Sequence, residues 1–306
     1  MELIVQPNDG IAPILDAIGR ATKTLDLIIF RFDLKKVEEA VEAAVLRGVN
    51  VRALIAHTNK GEEKRLRQLE QRMLEKGVTV TRTGDEFVRY HGKLLIVDRE
   101  ELHVYGFNYT ALDLKSRSFG LITKDPKTVG DALRLFEGDS MRQEFEPSGD
   151  GFVVSPENAR EELATFIKRA KKSLSIYDPK VSDSQMLRLL NQRARAGVDV
   201  RIIGKVGKRG GGLRVQKLPS GRLHVRAMIR DGDTAFSGSQ SLRALELDAR
   251  PEVGLIVKDP KVVKRMQEIF DQDWSKTDIG QKEEKHFEKE QKRAEQDEVV
   301  ATVTHS

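Results

Sequence analysis

No cysteine occurs in this chain, which excludes a disulfide framework, thiolate metal sites, iron–sulfur clusters and a cysteine nucleophile. Long apolar runs are missing too: the best, Leu25–Phe30 and Leu94–Val97, are strand-length, far short of the ~18 residues of a membrane-spanning helix. The opening MELIVQPNDG has no basic stretch followed by an apolar one, so no signal peptide is expected and a soluble, cytoplasmic location is. Aromatic residues amount to 6% with a single Trp, so stacking platforms for single-stranded nucleic acid are sparse. What is present is 39% hydrophobic residues, enough for a core, and a net charge of +5 with a pI near 9.2. That balance favours an anionic partner: a phosphate, a nucleic acid or an acidic lipid. The 306 residues are about twice a usual domain length of roughly 150, so two core-bearing units are expected.

The chain repeats itself. Arg47–Ile55 (RGVNVRALI) reappears as Ala196–Gly204 (AGVDVRIIG), and Leu3–Asn8 (LIVQPN) is echoed by Phe152–Glu157 (FVVSPE). Phe119–Pro126 (FGLITKDP) returns as Val253–Pro260 (VGLIVKDP). The offset falls from 149 to 134 between these blocks, so the second copy has lost 15 residues in its middle. The chain therefore divides into repeat one (1–149), repeat two (150–275) and a charged tail (276–306). In repeat one a strand leads into a helix over Ile11–Lys23, a strand Leu25–Phe30, a helix carrying Val37, Val41 and Ala44 at helical spacing, and a strand Val49–Ile55. Glu157–Lys172, Leu174–Tyr177, Ser184–Ala196 and Val198–Ile203 give the same succession in repeat two. Strands alternating with amphipathic helices predict an α/β sandwich with a parallel or mixed sheet.

The deletion removes a charged helix, Glu62–Lys76, and leaves a glycine-rich stretch from Gly204 to Arg222 with six basic and no acidic residues. A loop is expected there, either solvated or placing amides and cations near phosphates. Residues 281–298 carry twelve charges in eighteen positions, with only Phe287 and Ala294 apolar, and predict a solvated helix or a disordered extension.

The histidines fall on the repeat. His91-Gly-Lys93 runs on to Asp98, and His224-Val-Arg226 to Asp231, 133 residues later. The pattern His-x-(Lys/Arg)-x4-(Asp/Glu) is expected about 0.16 times by chance in this composition and occurs twice, at equivalent places. Residues i and i+2 of a strand share a face, so each His aims at the same spot as its cation. His57 and His103 have no partner at useful spacing, and Arg31, Phe32 and Phe107 are candidates to line a cleft.

This duplicated His-x-Lys-x4-Asp element resembles the HKD motif of the phospholipase D superfamily, over nearly everything from Met1 to about Trp274. The resemblance implies two similar α-β-α sandwich repeats with mixed sheets, related by a pseudo-twofold, and a phosphodiesterase that works through a covalent phosphohistidine. It implies a catalytic set of His91, Lys93, Asp98, His224, Arg226 and Asp231, with His91 as nucleophile, His224 as general acid, and the two Asp residues positioning the motif rather than reacting. Of the family's Gly-Ser-x-Asn, repeat one keeps Asn108 but has Gly106 where Ser is usual, and repeat two keeps Gly238 and Ser239 but has Ser241 where Asn is usual. The family's following Glu, the candidate orienting carboxylate, corresponds to Glu252 in repeat two and to Ser118 in repeat one. Asn108, Ser239 and Glu252 are thus the substrate-binding candidates. No metal or other cofactor is implied, and no His-Glu-x-x-His cluster is present to hold one.

A phosphodiester is anionic, so Lys93 and Arg226 would neutralise its oxygens while one neutral imidazole attacks and a protonated one serves the leaving group. Nucleic acid is the favoured substrate, from the pI, the basic loop and Arg47, Arg52, Arg82 and Arg89. A phospholipase D or cardiolipin synthase-like phosphatidyl transferase is the alternative. A phosphate-binding module with weakened catalysis is the other, on Gly106, Ser118, Arg226 and Ser241. A single chain carries both motifs, so dimerisation is not required for catalysis.

Overall fold

In the computed structural model, which describes residues 1–286 apart from Lys60, Val88 and Asp150, the first repeat runs β1 (Glu2–Gln6), α1 (Ala12–Arg20), β2 (Thr24–Ile29), α2 (Lys35–Leu46), β3 (Asn50–Ile55), α3 (Glu63–Glu75), β4 (Thr79–Arg82), β5 (Leu94–Val97), β6 (Glu101–Tyr105), α4 (Ala111–Leu114), β7 (Ser118–Thr123) and α5 (Pro126–Met141). The second runs β8 (Phe152–Ser155), α6 (Ala159–Lys168), β9 (Ser173–Val181), α7 (Ser184–Arg195), β10 (Asp199–Val206), β11 (Arg214–Gln216), β12 (Arg226–Arg230), β13 (Thr234–Gly238), α8 (Ala244–Asp248), β14 (Glu252–Val257) and α9 (Pro260–Ser275).

The two seven-stranded sheets have one topology. Their orders, β1-β7-β6-β5-β2-β3-β4 and β8-β14-β13-β12-β9-β10-β11, match strand for strand. In each, the last two pairings are parallel and the rest antiparallel. The repeated sequence blocks account for this locally. Gly48 and Gly197 both take φ +87° where a helix turns into the next strand, a conformation that costs glycine least. Asp125 and Asp259 cap α5 and α9, accepting from Thr128 N and from Lys261 N and Val262 N, with Pro in each first turn. Val37, Val41 and Ala44 bury one stripe of α2, and Leu66, Leu69 and Met73 one stripe of α3.

The glycine-rich stretch is not wholly a loop. β10 continues to Val206, and Arg214–Gln216 adds β11 parallel to it, the counterpart of β4; what repeat two lacks is α3. The hydrophobic core of repeat one continues through Tyr177, Val225, Val253 and Phe270 of repeat two, while a smaller core lies under α6 and α7. The early tail is helical over 278–286, with Glu283 accepting from Trp274 Nε1 at 3.1 Å. Positions 287–298 of the charged run, Phe287 and Ala294 included, lie outside the described residues.

The motif aspartates serve this scaffold. Asp98 and Asp231 sit at positive φ, +52° and +54°, just beyond β5 and β12. Asp98 accepts from the amides of Thr22, Lys23 and Thr24 at 2.7–3.1 Å, and Asp231 from those of Lys171, Lys172 and Ser173 at 2.6–3.1 Å. Each ties the end of one strand to the start of its neighbour. Burial alone would raise both carboxyls, but the amides hold them below the usual carboxylate range. The stability they add is therefore full above that range and lost as pH falls through the depressed native values. Each carboxylate is partly solvated, so Asp98→Ala or Asp231→Ala is expected to cost about 1–3 kcal/mol by urea denaturation while kcat stays within a few-fold.

Candidate active site

The segments that lead into β5 and β12 carry the two histidines, and each is held by the opposite repeat. His91 N donates to Pro251 O at 2.9 Å, and His224 N to Arg117 O at 3.1 Å. Pro251 and Arg117 are equivalent positions, each one residue before the Glu252/Ser118 position, so the exchange is symmetric. His91 and Lys93 thus lie in an extended lead-in rather than in β5, which begins at Leu94. The repeats close tightly here: a Cβ on Gly106 would stand 3.0 Å from Phe119 O and 3.2 Å from Gly238 O.

The exchange places the repeat-two carboxylate on the repeat-one imidazole. Glu252, fully buried, has Oε2 2.7 Å from His91 Nδ1, and its Oε1 is taken by Arg250. Burial, then the charges of Lys93, Arg250 and Arg226, hold His91 well below its ordinary range, so the ring is neutral at pH 7. Burial raises Glu252 while Arg250 and Lys93 oppose it. A carboxylate accepting from Nδ1–H fixes the tautomer and leaves the Nε2 lone pair unprotonated. Phe30 packs edge-on to the ring at 4.6 Å between centroids.

His224 is held differently. Its counterpart carboxylate position is Ser118, whose buried hydroxyl has no partner among the described residues, and His224 Nδ1 is likewise unpaired. The nearest acid is Asp113, 3.8 Å from Nδ1. Asp113 accepts from Asn108 N at 2.8 Å, from the Asn108 side chain and from Arg222. Burial would raise Asp113, but His224, Asn108 and Arg222 keep it below the usual range. Burial and Arg226 lower His224, against Asp113, which raises it. The two imidazoles are therefore unequal: one is clamped by a carboxylate, the other only approached by one.

Both rings line one cleft of about 270 Å³, together with Asn108, Phe30 and six arginines: Arg31, Arg89, Arg222, Arg226, Arg243 and Arg250. Glu246 is its acidic lining residue; it pairs with Arg243 and Arg250 at 3.0 Å. Among the described residues Arg89 has no carboxylate partner; its guanidinium lies 5.4 Å from the Phe30 ring centroid. Arg226 donates to His224 O at 2.8 Å and to Ser241 Oγ at 3.3 Å. Lys93, buried behind the cleft, donates to His91 O at 2.6 Å.

The structure therefore brings together His91, His224, Lys93, Arg226, Asn108 and Glu252. It does not bring Asp98 or Asp231, the expected positioning members of the catalytic set, which lie beyond the far ends of β5 and β12 and tie strands together there. Of the substrate-binding candidates, Glu252 has both oxygens occupied, by His91 and Arg250, and Ser239 Oγ sits on Val253 N and O at 3.2 and 3.3 Å. Phe107 is core, and His103 does have partners, Glu101 at 2.7 Å and Tyr105 at 3.0 Å. Of the arginines read as polyanion contacts only Arg89 reaches the cleft. Arg47 donates to carbonyls that end α1, Arg52 to Asp26, and Arg82 to Glu70. Sequence reading missed Asp113, Glu246 and Arg250. Asp113 and Glu246 stand five residues after Asn108 and Ser241, and Arg89 and Arg222 two before each His, a repeat signal that was present.

Lys93 gives the cleft a pH dependence. Burial, against Glu252, lowers its ammonium to about 7. An anion in the cleft favours the charged form and raises that value, so binding takes up a proton. Affinity for sulfate, whose charge is constant here, is expected to be greatest below pH 7 and to fall by up to about tenfold per unit above it. Calorimetry between pH 6 and 9 measures this; a flat profile contradicts it.

The family model described as cardiolipin synthase, PLD-like domain, matches residues 14–140 and 163–274. Polyphosphate kinase from Porphyromonas gingivalis superposes with a TM-score of 0.73 at 18% identity, over 88% of this chain and 46% of that one, so this chain spans about half its length. Phosphatidylserine synthase from Haemophilus influenzae gives 0.65 at 12% identity, over 88% of this chain and 84% of that one. Nuc, a phospholipase D family member from Salmonella typhimurium, gives 0.40 at 22% identity, over 46% of this chain and 95% of its own. No curated protein matches. The first two superpositions show a shared fold, and identities this low show no more than that.

Proposed function

This chain belongs to the cardiolipin synthase, PLD-like domain family, and from that premise we propose that it cleaves phosphodiester bonds of nucleic acid through a phosphohistidine on His91. The observation that carries the reading is the pair of imidazoles lining one arginine-rich cleft, with Glu252 clamping His91 from the other repeat. His91 Nε2 attacks phosphorus, forming a P–N bond as the P–O bond to the leaving group breaks. The leaving oxygen takes the proton of His224, whose pKa rises when the anionic diester arrives. Arg89, Arg226 and Lys93 neutralise the non-bridging oxygens as charge builds on them. Water then attacks phosphorus, the P–N bond breaks, and His224 receives the water's proton.

Nucleic acid is favoured because the cleft wall is guanidinium and amide, which suits a polyanionic backbone. One observation favours the alternative, a phospholipid. Leu112 and Leu245, at equivalent places on α4 and α8, are 59% and 53% exposed beside cleft residues. No helix of the described residues is long and apolar enough to cross a membrane.

The deciding experiment offers plasmid DNA, single-stranded oligonucleotides, RNA and phosphatidylglycerol vesicles to the full chain in EDTA. Cleavage of one of the nucleic acids, with affinity falling steeply as salt rises, is the expected result. Activity confined to vesicles would overturn the substrate, and inertness on every diester would favour a binding module.

A further inference from the structure

Beside the catalytic cleft, and sharing Phe30 and Arg31 with it, lies a second cavity of about 250 Å³. Phe30, Phe32, Leu66, Leu69 and Leu112 share its walls with Arg31, Asp33, Glu62, Arg65 and Thr110. Its one fully buried polar side chain is Asn59. The Asn59 amide nitrogen donates to Glu62, whose carboxylate also takes Arg31 Nε and Nη2 at 2.9 and 2.6 Å. A carboxylate can only accept, so the amide's orientation is fixed. Asn59 Oδ1 is then left buried without a partner among the described residues. An orphaned buried acceptor is costly unless a ligand supplies the donor.

Resting on the nuclease reading, we propose that this cavity holds the base of the nucleotide whose phosphate is transferred to His91. Three observations converge. The cavity adjoins the nucleophile, since Phe30 touches the His91 ring and Asn59 pairs through its backbone with Arg89. In-line displacement puts the leaving group opposite His91, towards His224, so the group beside His91 stays on phosphorus. The chemistry fits a planar heterocycle with an N–H edge: phenyl and leucine walls for its faces, a carbonyl oxygen for its donor. An acyl chain would leave Oδ1 unsatisfied, and the volume lies below the roughly 300–1,000 Å³ of most ligand pockets, which suits one ring system. Leu66 and Leu69 come from α3, the helix that repeat two lacks. The cavity is therefore built on one side of the cleft only, and it gives a symmetric pair of motifs a direction along the strand.

The test compares two esters with the same 4-nitrophenolate leaving group, one retaining thymidine 5′-phosphate and the other methyl phosphate. Wild-type kcat/KM is expected to favour the thymidine ester by about ten- to a hundredfold, the worth of one stacked base. Asn59→Leu is expected to shrink that ratio, and Leu112→Trp, an exposed position that tolerates change, to shrink it by narrowing the cavity. Equal rates on both esters in wild type, or a ratio unmoved by either folded variant, would overturn the base pocket and leave the nuclease reading standing. Activity on neither ester but on lipid vesicles would overturn both.

Discussion

His91→Ala is expected to lose at least about 10⁴-fold in kcat on every phosphodiester, whereas His224→Ala loses activity in a way that depends on the leaving group. An imidazole that forms the covalent bond has no substitute, so the first variant is inert whatever departs. An imidazole that only moves protons matters most when the leaving oxygen is strongly basic. With an alkoxide, as in a nucleic acid, His224→Ala is expected to fall about 10²–10⁴-fold. With 4-nitrophenolate the first step needs no proton, but water attack still lacks its base. That variant should then release nitrophenolate in a burst of up to one equivalent per chain, followed by slow turnover. Stopped-flow absorbance reads both outcomes. A burst in His91→Ala and none in His224→Ala would reverse the assignment made from the Glu252 clamp.

Glu252→Gln is the second large effect. The carboxamide keeps the size of the side chain but presents either an N–H that cannot pair with Nδ1–H or a carbonyl without charge. It also leaves Arg250 buried beside a neutral group. By analogy with the carboxylate–histidine pair of serine hydrolases, where such a change costs roughly 10⁴ in kcat, a fall of about 10²–10⁴ is expected with KM little altered. Arg250 keeps its pair with Glu246, so the added stability loss is on the order of 1–3 kcal/mol, and activity is read well below the melting transition. Ser118→Ala, at the equivalent place in repeat one, removes a hydroxyl with no partner among the described residues and is expected to change kcat by no more than a few-fold. A comparable loss from both would mean that the two histidines are oriented alike.

Much of the scaffold was legible because its instructions are local. The Lys-Asp-Pro tripeptides that cap α5 and α9, the glycines at 48 and 197, and the apolar stripe of α2 each act within a few residues. The histidine pair was legible through duplication. What sequence could not supply is which repeat a residue faces. Glu252 aligns with Ser118, yet the half that it serves follows only from the exchange of backbone bonds at Pro251 and Arg117. β11 was hidden because a glycine-rich basic stretch becomes a strand only when β10 offers it an edge. Arg47, Arg52 and Arg82 looked like free cations because their acceptors, α1 carbonyls, Asp26 and Glu70, lie on other elements. Asp113 and Glu246 sit on helices of four and five residues, too short for periodicity to mark their inward faces.

A crystal of the full chain soaked in orthovanadate tests the central claim most directly, because vanadium adopts the five-coordinate geometry of phosphorus under attack. One vanadium bonded to His91 Nε2, with the His224 ring within hydrogen-bonding distance of the opposite apical oxygen, is the expected result. Vanadate held by His224 with His91 turned away, or each ring binding its own anion, would contradict it.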